Sequence, residues 1–284
     1  MGGEATGALP ARRINSALLD TAGSGDSGEP EFTIEIAASH WLLDQHRTHD
    51  GRAVMPGTGY IELFAEAAQA QGVQGFSLQD LYFLRPMPLA DNATRKIKIT
   101  LNPEGAGFAA ELRSACVVNG KPAWQLHAQV RLILTERETE TLDLDAIASR
   151  CPTVAQAEPG DRLTAIQEPH LNFGPRWHVL QRTALGQGEG LAELHLPDAA
   201  LSDLADGYLL HPGLMDIATG WAMALIPGYT ARHLWVPLSY GDITLHAPLP
   251  ADIRSHVRLA EGAAADGLAR FPATIPGAPG GRAG

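Results

Sequence analysis

The sequence predicts an α+β fold: two antiparallel sheets, each wrapped around a long central helix, built from two successive halves. Three observations carry this. An apolar-periodic helix over about 58–71 opens directly after the turn Pro56-Gly57-Thr58-Gly59. A second helix opens after His211-Pro212-Gly213 and runs to about Leu225. A series of short alternating segments accompanies each. Strands grouped in this way, rather than alternating strictly with helices, pair antiparallel and take a helix across one face.

Residues 1–30, rich in Gly, Ser, Ala and Pro, read as a flexible lead-in or linker. Phe32–Ile36 alternates with period 2 and is the first strand. The first helix carries Ile61, Phe64, Ala65 and Ala68 on one face and Leu63 and Ala67 on the other, so it is expected to be buried all round. Thr58 is its expected N-cap, with Glu62 in its first turn. Strands are expected at Phe76–Leu84, Arg95–Leu101, Phe108–Cys116 and Trp124–Leu134, the last two joined through Asn119-Gly120.

Thr135 to Asp161 is polar with little apolar periodicity. The chain therefore divides into an N-terminal half at 31–140, a linker at 141–165 and a C-terminal half at 166–284. The second half offers a strand at Leu191–Leu196. Its helix bears Ile217, Trp221, Ala224 and Leu225 on one stripe, with Pro212 where a first turn tolerates it. Strands are expected at Leu234–Leu238, Asp242–His246 and Ser255–Leu259. After Ile275 the chain passes into the Gly- and Pro-rich run PGAPGGRAG.

Composition excludes several functions. With 45% hydrophobic and 19% charged residues, the 284-residue chain has the makings of a globular core. A net charge of −11 argues against nucleic-acid and anionic-membrane partners. Two cysteines, Cys116 and Cys151, make no disulfide framework and fit a reducing, cytoplasmic setting. No apolar run of the ~18 residues needed to span a bilayer occurs, nor a signal-peptide core. No Cys/His cluster has metal-ligand spacing, no Gly-rich phosphate loop follows a strand, and Gly-x-Ser-x-Gly is absent.

The loop before the first helix holds the chemistry. His46 and His49 precede Gly51 and the Pro56-Gly57 helix start, which sets an imidazole beside unpaired N–H groups and the positive end of a helix. The N–H of Gly57 is then a candidate donor to a carbonyl oxygen gaining charge, and the histidine a candidate base for a proton α to that carbonyl. A lone histidine is ordinarily a surface or satisfied core residue. The adjoining helix start makes His46 the exception.

Three segments together resemble the dehydratase domain of modular type I polyketide synthases. They are His46…Gly51…Pro56-Gly57-Thr58-Gly59-Tyr60, Phe173-Gly174-Pro175-Arg176-Trp177, and His211-Pro212-Gly213-Leu214-Met215-Asp216. A fourth, Val236-Pro237-Leu238-Ser239-Tyr240, is similar to the family's late leucine-proline segment. The resemblance spans about 32–275. It implies a double-hotdog fold and dehydration of a β-hydroxyacyl thioester to the 2-enoyl thioester, with His46 as base and Asp216 as acid. A carboxyl in an apolar pocket is held neutral and can protonate a leaving hydroxyl. The resemblance also implies substrate contacts at Pro56, Gly57, Tyr60, Phe173, Gly174, Pro175 and Gly220. No metal or organic cofactor is expected. The substrate would ride on the phosphopantetheine of an acyl carrier protein, beside neighbouring synthase domains and within a homodimer.

The chain departs from the family pattern at three places. The family normally continues with another strand pair where this chain passes into PGAPGGRAG, so the C-terminal half is expected to be shortened at its end. Four residues, not three, separate His46 from Gly51, while His49 lies too near Gly51 to replace it. Position 220, where the family has Gln or His one turn after the acid, is Gly, so open space is expected beside Asp216. Double-bond migration or oxa-Michael ring closure on the same fold, and a catalytically silent scaffold, stand as alternatives. The presence of both His46 and Asp216 favours dehydration.

Overall fold

The computed structural model describes residues 10–72, 75–134, 142–260 and 268–277. Its first strands, β1 (Arg12–Arg13), β2 (Thr21–Ser24) and β3 (Pro30–Ala37), form an antiparallel meander, and alternation along β3 buries Phe32, Ile34 and Ile36. A short helix, α1 (Trp41–Asp44), is N-capped by the His40 ring and leads into β4 (His46–Thr48). Gly51, with φ +84°, turns the chain into β5 (Ala53–Val54), a left-handed position that glycine takes without steric cost. Then comes α2 (Gly57–Gln69), in which every residue from Thr58 to Ala68 is buried.

The chain continues through β6 (Phe76–Phe83), β7 (Pro88–Leu89), β8 (Thr94–Glu104), β9 (Gly107–Val118) and β10 (Lys121–Ile133). Inward-facing Ile97, Ile99 and Leu101 of β8 and Ala128, Val130 and Leu132 of β10 close the core over α2. Beyond residue 142 lie α3 (Leu144–Arg150), β11 (Thr153–Gln156) and β12 (Leu171–Phe173). They are followed by β13 (Leu180–Leu185), β14 (Glu189–His195), α4 (Leu201–Ala205) and α5 (Pro212–Gly220). The last strands are β15 (Ser239–Leu245), β16 (Asp252–Arg258) and β17 (Ala273–Thr274).

Three sheets result among the described residues. Eight strands run in the order β1-β2-β3-β8-β9-β10-β6-β15, five in the order β11-β13-β14-β16-β17, and four in the order β12-β4-β5-β7. Two of these cross the expected division into halves. β15, late in the chain, pairs with β6, and β12 pairs with β4. One hydrophobic core accordingly runs from Phe32 and Phe64 through Trp177 to Trp221.

Several expectations need correction. Residues within 10–30, read as a flexible lead-in, supply β1 and β2 and bury Leu18 and Leu19, whose N–H groups reach the Glu66 carboxylate on α2. Apolar side chains there are too few to show a period, but two suffice to anchor the segment. The linker at 141–165 is built into the second sheet, since β11 pairs with β13 and α3 packs Ile147 beneath it; residues 135–141 lie outside the described part. Thr58 does not cap α2. Pro56 holds that position, and the Thr58 hydroxyl donates to the Pro212 carbonyl at 3.0 Å, joining the starts of the two central helices. The second helix is shorter than expected: it ends at Gly220 and continues as a 3-10 turn over Trp221–Leu225. Glycine's poor helix propensity accounts for the change. Leu234–Leu238 forms no strand, and Val236 and Leu238 are exposed. The C-terminal segment, expected to be shortened, contributes β17 along β16.

Candidate active site

The small four-stranded sheet carries the candidate histidine. Register places His46 of β4 opposite Phe173 of β12, and the imidazole rests against Phe173 and Trp177, at ring distances of 5.7 and 5.6 Å. Its Nδ1 lies 2.8 Å from the Val54 carbonyl oxygen. A carbonyl only accepts, so Nδ1 carries the proton and the lone pair of a neutral ring is left on Nε2. That nitrogen faces the Asp216 carboxylate oxygen Oδ2 at 3.9 Å. His49 points elsewhere: it is exposed, with Nε2 at 3.1 Å from the Glu168 carbonyl.

Asp216 sits on α5, and two contacts fix that helix. Its start presses so closely on the Arg176 carbonyl that a Cβ on Gly213 would lie 2.3 Å from that oxygen, which restricts the position to glycine. His211, at φ +38°, caps the helix by accepting from the Leu214 N–H through Nδ1, and its Nε2–H donates to Asp203 at 3.2 Å. Asp203 also accepts twice from Arg176, at 2.6 and 3.0 Å, and the guanidinium and the His211 ring both stack on Trp41. Next to Arg176, Trp177 donates its indole N–H to Asp216 at 2.8 Å. Gln45, beside His46, takes the N–H groups of Gly174 and Arg176, which ties the histidine strand to the Phe173–Trp177 turn.

Electrostatics separate the two carboxyls. Burial raises the Asp216 pKa, against the opposing pull of His46 and the Trp177 hydrogen bond. Its side chain still keeps 21% of its surface open, so a ligand can reach it. Burial also works against ionisation of Asp203, but hydrogen bonds from His211 and Arg176 prevail and hold it at about 2. A depressed folded pKa means that Asp203 stabilises the fold above its ordinary value of 3.8 and loses that contribution as pH falls toward 2. Asp203→Asn breaks a buried ion pair and is expected to cost ~3 kcal/mol, with the acid limb of a denaturation-versus-pH curve flattened.

Of the residues expected to touch substrate, Phe173 packs on His46, and Gly220 stands one turn after Asp216 on α5. Pro56 and Gly57 start α2 from β5; a Cβ on Gly57 would stand 3.1 Å from the Phe83 ring and 3.3 Å from Pro237, which wall the helix N-terminus. Tyr60 is buried one turn on, among Phe83 and His127, its hydroxyl without a partner among the described residues. Gly174 packs on Gln45. Pro175 lines an outer groove of about 580 Å³ with Arg162, His178 and His195, to which neither His46 nor Asp216 contributes. The open space expected at Gly220 is not there: a Cβ on it would stand 1.8 Å from Nε2 of Gln167. Sequence reasoning missed Gln45, Gln167 and Asp203, which carry no local motif. Trp177 ended a motif without receiving a role.

Comparison with known proteins decides the family. Residues 17–115 match the family described as polyketide synthase dehydratase domain, and 139–270 match the one described as polyketide synthase dehydratase N-terminal domain. The chain belongs to the polyketide synthase dehydratase family. This dehydratase-family domain is 25% identical over 259 residues to polyketide synthase PksM of Bacillus subtilis (strain 168), aligning 87% of its own length with 6% of that protein. Among solved structures it resembles a trans-AT polyketide synthase dehydratase domain from Brevibacillus brevis, with TM-score 0.78, 20% identity and 93% of each chain covered. The dehydratase domain of RzxB from Pseudomonas fluorescens gives TM-score 0.74 at 21% identity, with 94% of each chain covered. These likenesses establish the double-hotdog fold. No helix among the described residues is long and apolar enough to cross a membrane.

Proposed function

We propose that the domain dehydrates a β-hydroxyacyl thioester to the α,β-unsaturated thioester, the chain being carried on the phosphopantetheine of an acyl carrier protein. The observation that carries the reading is the fixed tautomer of His46, whose free Nε2 faces a carboxyl 3.9 Å away that is biased toward its neutral form. His46 takes the α-proton, and the electrons of that C–H bond form the C=C bond as the C–O bond breaks. Asp216 delivers its proton to the departing hydroxyl, which leaves as water. The imidazolium and carboxylate so formed neutralise each other when the proton passes back. The 3.9 Å separation suits groups that act on adjacent carbons of one substrate. The N–H of Gly57 is the proposed donor to the thioester oxygen, beneath Phe83 and Pro237.

Turnover of a carrier-bound or N-acetylcysteamine β-hydroxyacyl thioester tests this. Appearance of the conjugated enoyl thioester is expected; release of a shifted alkene or a cyclic ether instead would replace the reading. Trp177→Phe provides a pH test. The indole hydrogen bond lowers the Asp216 pKa, so its loss raises that pKa further. A general acid works only while protonated, so the alkaline limb of the kcat/KM profile is expected to move to higher pH. An unmoved limb would exclude Asp216 as the titrating acid.

A further inference from the structure

The geometry points to Gln167 as a substrate-binding residue that orients the β-hydroxyl of the thioester toward Asp216, an assignment that rests on the dehydratase reading above. The residue is 6% exposed, and its amide nitrogen occupies the point from which a side chain at position 220 would grow. Residue 220 lies one helical turn past Asp216, a spacing at which side-chain roots are about 5–6 Å apart on one face. The Gln167 amide therefore shares the Asp216 face of α5, although it arrives from a distant loop. Hydrogen bonds tie that loop together: Glu168 takes two from Arg162 and one from the Ala165 N–H, and the Gln167 carbonyl accepts from the His170 and Leu171 N–H groups.

The amide oxygen is buried and has no hydrogen-bond partner among the described residues. A buried acceptor without a donor is costly, so one that persists at a reaction site awaits a donor from the ligand. Other polar groups on this face are engaged. Trp177 N–H is given to Asp216, and the hydroxyl of Thr219 is shared between the Met215 carbonyl and Tyr240. The chemistry asks for such an acceptor. A β-hydroxyl that receives the Asp216 proton on a lone pair must direct its own O–H elsewhere, and His46 is committed to the α-hydrogen. Gln167 Oε1 takes that O–H, fixes the lone pair toward Asp216 and keeps hold of the leaving water.

The test compares a β-hydroxyacyl thioester with its 3-deoxy saturated analogue. Both are bound to the intact domain in a His46→Phe background, so that no turnover intervenes. Gln167→Met preserves shape without a carbonyl acceptor. It is expected to weaken the hydroxy ligand by roughly tenfold and the saturated one hardly at all. In the background with His46 restored, kcat/KM is expected to fall by a similar factor. Gln167→Ala/Gly220→Gln moves the amide onto the helix and is expected to restore discrimination, whereas Gly220→Gln alone collides with Gln167 and lowers the melting temperature. Equal discrimination by wild type and Gln167→Met overturns the assignment, as does a folded double variant that fails to restore it where Gln167→Met does not fold. The two readings fail separately: hydroxyl discrimination in a protein without dehydratase turnover would sink only the proposed reaction.

Discussion

His46→Ala is expected to abolish dehydration while the melting transition stays near that of the unaltered domain. Among the described residues the ring makes one hydrogen bond, to the Val54 carbonyl, and it sits at the edge of the aromatic pair Phe173 and Trp177, so its removal costs packing but strands no buried charge. Loss of a general base typically lowers the rate by ~10²–10⁴. Asp216→Asn is expected to fall in the same range, because an amide keeps the Trp177 hydrogen bond but has no acidic proton. The double variant is expected to lose little beyond either single one, since acid and base serve one step and their effects do not add. His49→Ala supplies the control: its ring is exposed on the far side of the turn, against Glu168, and near-normal turnover is expected. A dead His49→Ala beside an active His46→Ala would reverse the assignment.

How far the sequence disclosed this site follows from what each contact depends on. His46, Asp216 and Phe173 stand at helix entries or in register on a strand, and such positions are written in spacing: Gly51 for the turn, Pro56 and Pro212 for the helix starts, Gly213 for the close approach. The strands β8, β9 and β10 were legible because alternating burial leaves period-2 apolar residues. β13 was not, since three consecutive polar residues, Gln181 to Thr183, stand between its two buried residues, Leu180 and Ala184. The small sheet joining β12 to β4 was equally hidden, because strands of two or three residues are too short to show a period. Gln167 and Asp203 reach their partners across 53 and 8 residues of chain, and nothing local marks them. The reading of Gly220 as open space failed for the same reason. A missing side chain tells what its own residue does not fill, not what a distant loop inserts.

Glu62→Leu is expected to produce the largest loss of stability of any substitution in the helix α2. Glu62 is fully buried, and its two oxygens accept from the Leu209 and Leu210 N–H groups at 2.6 and 2.7 Å. Leucine would fill much of the volume but leave both N–H groups buried without an acceptor, at ~1–3 kcal/mol each. Against a total of ~5–15 kcal/mol for an ordinary domain, that is a large share. The same N–H groups lead directly into His211 and α5, so a folded remnant is also expected to place Asp216 poorly and lose turnover. Glu62→Gln removes the titration but keeps only one acceptor oxygen and sets its NH2 against the other N–H, so its absolute stability is expected to fall and the comparison lies in the slope with pH. Burial, with Glu66 one turn away, raises the Glu62 pKa from 4.5 to about 8, and the two N–H bonds only partly offset this. A folded pKa above the unfolded one means a contribution fully present below pH 4.5 and lost as pH rises through about 8. The unaltered domain should therefore weaken across that window, as measured by denaturant midpoint at a series of pH values. In Glu62→Gln the amide does not titrate, so the decline should flatten, leaving only what Glu66 contributes, whose pKa burial likewise raises. A decline of the same slope in both proteins would show that Glu62 is ionised throughout, its charge held by the Leu209 and Leu210 amides alone.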